Sequence, residues 1–188
     1  MNITIFGHGH LAQAVGKNLA IGDNHVTYLT HEDHQPLGGL VILAVPYSAI
    51  DDIVSRYRQA LSGKVVVDAT NPIDFQTWQP VVPANSSSAQ QLAQKLPDSK
   101  VLKAFNTATA ASLTNGQLAN GQPTQVLVAG DDEDAKQVLT SILKDSPLTV
   151  INVGGLARAR ELEALGLLEL SLAFNKQLPI DGGFQIVK

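Results

Sequence analysis

The chain has no cysteine in its 188 residues. That excludes a disulfide framework, a thiolate metal site and a cysteine nucleophile, and it fits a reducing compartment. Positive charge is also short. Thirteen Lys and Arg stand against 17 Asp and Glu, a formal net charge of −4 with no basic cluster, so the electrostatic footprint of a nucleic-acid binder is missing. No apolar run reaches membrane-spanning length, and the first residues pass straight into a strand-like run with no leader pattern. The expectation is a cytoplasmic protein without membrane or nucleic-acid partners. Internal repeats and linker-like stretches are lacking too. Residues 1–188 are therefore expected to form one domain, with a sheet core over 1–153 and a C-terminal helix and tail over 154–188.

What is present is alternation. Short β-branched runs occur at Asn2–Phe6, His25–Leu29, Leu40–Val45, Lys64–Asp68, Lys100–Phe105, Gln125–Ala129 and Leu148–Val153. Several are apolar at successive positions, as strands covered on both faces should be. Between them, Leu11–Ala20, Ser48–Leu61, Ser88–Leu96 and Glu133–Leu143 carry helical spacing. This pattern predicts a doubly wound, mostly parallel α/β sheet. The serines at 86–88 read as a helix start, with a serine cap and Gln90 or Gln91 in the first turn. From His31 to Gly39 there are only about nine residues, where a parallel crossover takes at least about ten to twelve. With Pro36 and Gly38-Gly39 there, the crossover helix after the second strand is expected to be missing or reduced to a turn. Ala157–Phe174 has helical spacing of leucines (162, 165, 168, 172), and Leu165 to Leu172 is rich enough in leucine to be buried on more than one side. It either covers the sheet or packs against a second copy of the chain.

Gly7-His8-Gly9-His10-Leu11-Ala12 follows the first strand and opens the first helix, matching G-x-G-x-x-G/A. In such a turn the first glycine permits the tight bend, the second lets backbone approach a diphosphate, and the small third residue lets helix pack on strand. Free amides at the helix start then face the phosphates. In this context the stretch reads as a dinucleotide turn and the sheet as Rossmann-type. The end of the second strand, about twenty residues on, selects the nucleotide. There Thr30 and His31 offer a hydroxyl and an imidazole for a 2′-phosphate, which favours NADP(H) over NAD(H), while Glu32 or Asp33 remain within reach of a ribose. The 31–34 stretch (His-Glu-Asp-His) resembles a metal cluster, but a Gly- and Pro-flanked loop without further ligands is usually solvated, and no metal is assigned. Asp131 to Asp134 is explained as an acidic helix N-terminus.

Several separated pieces resemble the NADPH-dependent reductases of the deazaflavin coenzyme F420: "IFGHGHLAQAVG" at 5–16, "VILAVPYSAI" at 41–50, "VVVDATNP" at 65–72, "VLKAFNT" at 101–107, "VLVAGDDEDAKQVL" at 126–139 and "VGGLARARELEAL" at 153–165. The cytosolic domain of the STEAP metalloreductases looks like a relative. The resemblance implies a Rossmann domain with a small C-terminal extension, hydride transfer between nicotinamide and a stacked deazaflavin or flavin-like acceptor, and a homodimer. It places Gly7, His8, Gly9, His10 and Leu11 around the diphosphate. Thr30 and His31 stand where the family usually has Ser-Arg for the 2′-phosphate. Ala44, Val45, Pro46 and Tyr47 would lie beside the riboses, Asn71 and Pro72 at the border of the nicotinamide. Ala104 and Asn106, with Thr107, Ala108 and Ala110, would form the floor where the two rings meet. Arg160 matches a family position able to touch an anionic substrate tail, although solvated pairs with the neighbouring glutamates explain Arg158 and Arg160 equally.

Hydride transfer needs two rings held in near contact, so positioning supplies most of the catalysis and no ionisable catalyst is obligatory. The small residues of "AFNTATAAS" (104–112) suit a flat acceptor, and they equally suit a strand running into a helix. Asn71 and Asn106 have the chemistry to hold a carboxamide or a ring edge, and Asn71 before proline also suits a turn. Lys103 sits among apolar residues and needs a partner, with Asp68 the candidate for a structural ion pair rather than Lys103 a proton donor. Two rival functions stand beside the oxidoreductase: an NADP(H)-binding redox sensor without turnover, and a reductase of a small carbonyl or imine. The latter class normally adds a sizeable helical domain, for which little chain remains after Val153.

Overall fold

The computed structural model describes residues 1–30, 33 and 35–187. In chain order the elements are β1 (Asn2–Phe6), α1 (His10–Leu19), β2 (His25–Leu29), β3 (Leu40–Leu43), α2 (Ile50–Leu61), β4 (Val65–Asp68), β5 (Ile73–Asp74), β6 (Gln79–Pro80), α3 (Ser88–Lys95), β7 (Lys100–Lys103), α4 (Ala110–Asn115), β8 (Gln125–Gly130), α5 (Glu133–Leu143), β9 (Thr149–Gly154) and α6 (Ala159–Phe174). Seven strands form one sheet in the order β2-β1-β3-β4-β7-β8-β9, and β5 and β6 make a separate hairpin. β2 through β7 run parallel, β8 turns antiparallel to β7, and β9 runs parallel to β8. The fold is thus α/β, Rossmann-like and mostly parallel. β2 and β3 flank β1 on opposite sides, which opens a crevice between the carboxyl ends of β1 and β3, where open α/β sheets hold their ligands.

Why the strand runs are apolar on successive residues is now plain: β3 and β4 are buried at every position. Ile3 and Ile5 point to the layer holding Val15 and Leu19 of α1 and Leu139 of α5. Phe6, Val41, Leu43 and Val66 point to the opposite layer with Ile53, Tyr57 and Leu92 of α2 and α3. The helices stop and start on chemistry legible in the chain. Ser87 caps α3 by accepting from the Gln90 amide at 3.1 Å, Asp132 caps α5 through Ala135 at 2.8 Å, and α4 ends on Gly116 at φ +74°.

No helix occurs among the described residues between β2 and β3. Instead Gly38 presses on the edge of β1, its amide donating to Thr4 Oγ1 at 2.9 Å, and a β-carbon there would overlap the Asn2 carbonyl. Two strands end earlier than their apolar runs suggest. β3 stops at Leu43, ahead of Pro46, and β7 stops at Lys103 because Phe105 takes φ +68°. The final helix also differs from expectation. Its buried stripe is Ala159, Leu162, Glu163, Gly166 and Glu169, while Leu168 is 48% exposed. Two carboxyls and a glycine share the inward face with Leu162. Among the described residues no helix is long and apolar enough to cross a membrane.

Candidate functional site

The two glycines of the first turn are glycines for different reasons. Gly7 has φ +118°, its amide donates to the Leu29 carbonyl at 3.0 Å, and a β-carbon would overlap the Ala44 carbonyl. Protein geometry demands it. Gly9 has an ordinary φ of −71° and nothing within 4 Å of where its β-carbon would be. No neighbour among the described residues requires that glycine; the space beside it is open to them. Gly9 is also the N-cap of α1, and no side chain caps that helix. The first-turn amides, which have no partner inside a helix, are left at the crevice. Ala12 is fully buried against the sheet, so the third small residue sets the helix–strand distance. An uncapped helix start, open space beside a glycine and a switch-point location together fit the diphosphate of a dinucleotide. His8, Gly9 and His10 are exposed, with His8 stacking obliquely near Tyr28 at 5.9 Å between ring centres.

At the end of β2, Thr30 donates both its amide (2.6 Å) and its hydroxyl (2.8 Å) to Asp33 Oδ2. A carboxylate therefore stands beside the hydroxyl expected at the 2′ position. His31, Glu32 and His34 lie outside the described residues, and with them the role expected of His31 and the metal-cluster reading of 31–34.

Beyond the turn lies a cleft of about 520 Å³. Leu11, Val45, Pro46 and Tyr47 form one side, Asn71, Ile73 and Phe75 another, and Phe105, Asn106, Ala108 and Ala110 the floor, with Leu170 of α6 closing it. Its lining is predominantly apolar, and among the described residues no acid, amine or imidazole lines it. Tyr47 is the one titratable wall residue. Its hydroxyl donates to Gln91 Oε1 at 2.8 Å, and burial pushes its pKa up.

The structure therefore brings together Leu11, Val45, Pro46, Tyr47, Asn71, Asn106, Ala108 and Ala110. It leaves others out. Ala104 is wholly buried and does not line the cleft, whereas its neighbour Phe105, at φ +68°, does. Thr107 is buried off the wall with its hydroxyl unpartnered. Pro72 faces a second groove of about 410 Å³ between the 80–86 segment and Arg160, Glu163 and Leu167. Ala44 sits behind Gly7, and His10 borders a shallow depression with Thr109 and Ala111.

The asparagines are held rather than held out. Asn106 Nδ2 donates to Asn71 Oδ1 and to the Leu162 carbonyl, both at 2.9 Å, and Asn71 Nδ2 donates to the Asn106 carbonyl at 2.9 Å. Asn106 has both N–H groups engaged, so it cannot donate to a carboxamide and instead orients Asn71, which keeps one N–H. Gly166 makes this possible, since a β-carbon would lie 2.6 Å from Asn71 Oδ1.

Beneath this pair is a buried charge cluster. Lys103 Nζ reaches Asp68 Oδ2 (3.0 Å), the Thr70 carbonyl (2.6 Å) and Glu163 Oε1 (2.8 Å). The ion pair with Asp68 is as expected; Glu163 is an addition, because an i,i+3 pattern on α6 gave no hint of a partner sixty residues away. Its other oxygen accepts from the Ser88 amide at 3.1 Å. Burial raises the Glu163 pKa, against the pull of Lys103. The cluster fixes the Thr70 backbone, and so the start of the segment that carries Asn71.

Phe75, Val81 and Leu170 line the cleft without having been anticipated. Only their apolar character in a loop and on a helix end signalled them.

No family model matches the chain. It is 30% identical over 149 residues to the F420-dependent NADP reductase of Methanocaldococcus jannaschii, covering 77% of this chain and 66% of that one. It is 36% identical over 107 residues to Metalloreductase STEAP3 of Rattus norvegicus, covering 57% of this chain and 21% of that protein. A crystal structure from Arthrobacter sp. FB24, provisionally assigned as an F420-dependent NADP-reductase, superposes with a TM-score of 0.83 at 25% identity over 99% of both chains. The chain thus spans about a fifth of the metalloreductase and just under two thirds of the archaeal reductase.

Proposed function

This chain belongs to the F420-dependent NADP reductase-like dinucleotide-binding family, and from that premise we propose that it is an NADP(H)-dependent oxidoreductase passing hydride between nicotinamide and a flat, flavin-like or deazaflavin acceptor. One observation carries the reading: an open, predominantly apolar cleft, whose one titratable side chain among the described lining residues is Tyr47 with its hydroxyl proton already donated to Gln91, begins beside an uncapped helix start at the switch point. Reduction of a small carbonyl or imine calls for a proton donor in the wall; ring-to-ring hydride transfer calls for alignment.

When bound, the dihydronicotinamide supplies a hydride, two electrons and one proton, and the acceptor completes its reduction with a proton from solvent. The residues of this chain bind and orient. Amides at the start of α1 hold the diphosphate. Val45, Pro46 and Tyr47 flank the ribose and ring. Asn71, clamped by Asn106, offers its remaining N–H to the carboxamide. Ala108 and Ala110 present a low wall on which a planar partner can lie. Lys103 with its two carboxylates keeps the segment that carries Asn71 in place.

The test is stopped-flow mixing of NADPH-loaded protein with riboflavin or F420. Loss of the reduced-nicotinamide absorbance on mixing is the expected result. Bound NADPH that survives both acceptors would contradict this reading and leave the sensor and the carbonyl or imine reductase.

A further inference from the structure

The β5–β6 hairpin grows directly from the Asn71-Pro72 segment, with the Ile73 amide bonded to the Asn71 carbonyl (2.9 Å) and the Val81 amide to the Pro72 carbonyl (2.9 Å). Its turn carries Phe75 and Trp78. Trp78 sits at φ +55°, a backbone region that side chains rarely adopt, held by its amide on the Asp74 carbonyl at 2.7 Å. That conformation brings the indole against the last residue of α6, Phe174, with ring centres 4.9 Å apart and planes at 45°. On its other side Phe75 meets it edge-on at 5.9 Å. Phe75 and Phe174 are nonetheless 64% and 69% exposed. A row of three rings joined through Trp78, the two outer ones mostly wet, forms a surface that ordinary packing would have covered. Phe75 also lines the cleft, so the surface continues into the place where the acceptor would lie.

We propose that Phe75, Trp78 and Phe174 are an aromatic platform that binds the conjugated ring of the acceptor where Phe75 lines the cleft. This rests on the oxidoreductase reading above. The occupant is a planar heteroaromatic ring system, because the partners are ring faces and edges and no charged side chain lines the cleft beside them. The three residues make and break no bonds. They set the affinity and tilt of the acceptor, and the hydride reaches it from the nicotinamide beneath.

Trp78 is the single tryptophan of the chain, so its emission reports on the platform. Protein saturated with NADP+ is titrated with riboflavin while that emission is followed, and the KM for riboflavin is measured with NADPH as donor. Quenching that saturates near the KM is expected. Phe75→Ala and Phe174→Ala each raise that KM about fivefold or more while NADPH affinity stays within about twofold, and Phe75→Tyr restores the KM. If NADPH binds and riboflavin is reduced but neither the emission nor the KM moves, the platform is wrong and the function stands. Variants that turn a dimer into a monomer by light scattering without moving the KM would give this face to a second copy and overturn the proposal. NADPH that binds yet reduces no flavin, with a silent Trp78, removes both.

Discussion

The proposed coenzyme end and the proposed acceptor end of the cleft are built in opposite ways. Six consecutive residues, Gly7 to Ala12, make the first, a turn set by the backbone of Gly7 and by the helix start at Gly9. The second is assembled from residues 70–81, 104–110 and 162–174, joined by Lys103, by the Asn71–Asn106 clamp and by ring contacts. A local device survives as a pattern in the chain. A device built from distant segments depends on which side chains meet, and that no spacing reveals.

The joint of the acceptor end is the place to break this contrast hardest. Lys103→Met leaves the carboxyls of Asp68 and Glu163 buried without their cation, and removing one partner of such a cluster costs about 3–5 kcal/mol. The melting temperature should fall by about 10 °C, while turnover of the remaining folded protein changes much less. A wild-type melting point with abolished hydride transfer would instead make Lys103 a proton donor.

Glu169 probes the far side of α6. It is 2% exposed, neither carboxyl oxygen has a hydrogen-bond partner among the described residues, and burial pushes its pKa from 4.5 to about 7. The folded protein therefore keeps a proton between those values that the unfolded chain has lost. Stability from the neutral carboxyl is complete below about 4.5 and falls as pH rises toward 7, by about 3 kcal/mol in all. Denaturant unfolding at pH 5 and pH 8 should show this decline in the wild type, and Glu169→Gln should remove that share of it.

Smaller effects are expected at the coenzyme end. Ala12→Leu overfills the α1–β1 contact and should weaken NADPH binding about tenfold in a fluorescence titration, by forcing the helix start away from the strand. Asp33→Ser removes the carboxylate that accepts from Thr30 and would repel a 2′-phosphate. It should shift the NADPH-to-NADH affinity ratio toward NADPH by about three- to tenfold, or about 1 kcal/mol. An unchanged ratio would place the 2′ end of the coenzyme away from Asp33.

The sequence carried the scaffold well because strand burial and helix periodicity are local. β1, β2 and α5 fall where their patterns put them, and the short crossover reads directly from residue count plus Pro36 and two glycines. The glycine turn between β1 and α1 is legible for the same reason. Three features are not. The reversal of β8 depends on a helix of six residues and a loop, which no apolar pattern distinguishes from a crossover. The hairpin at 73–80 has two-residue strands and a tryptophan with positive φ, contrary to every local preference. Glu163 and Glu169 lie on the inward stripe of α6 and look like solvated charges until Lys103 and the overlying tail are placed in space.

The most direct test lies at Gly9, where a β-carbon meets no atom within 4 Å among the described residues and a bound diphosphate would register the substitution. Calorimetric titration of NADPH into wild type and Gly9→Val is expected to give a normal melting temperature for the variant and an affinity loss of at least about thirtyfold, or about 2 kcal/mol. Equal affinities in the two proteins would contradict the placement of the diphosphate at the start of α1.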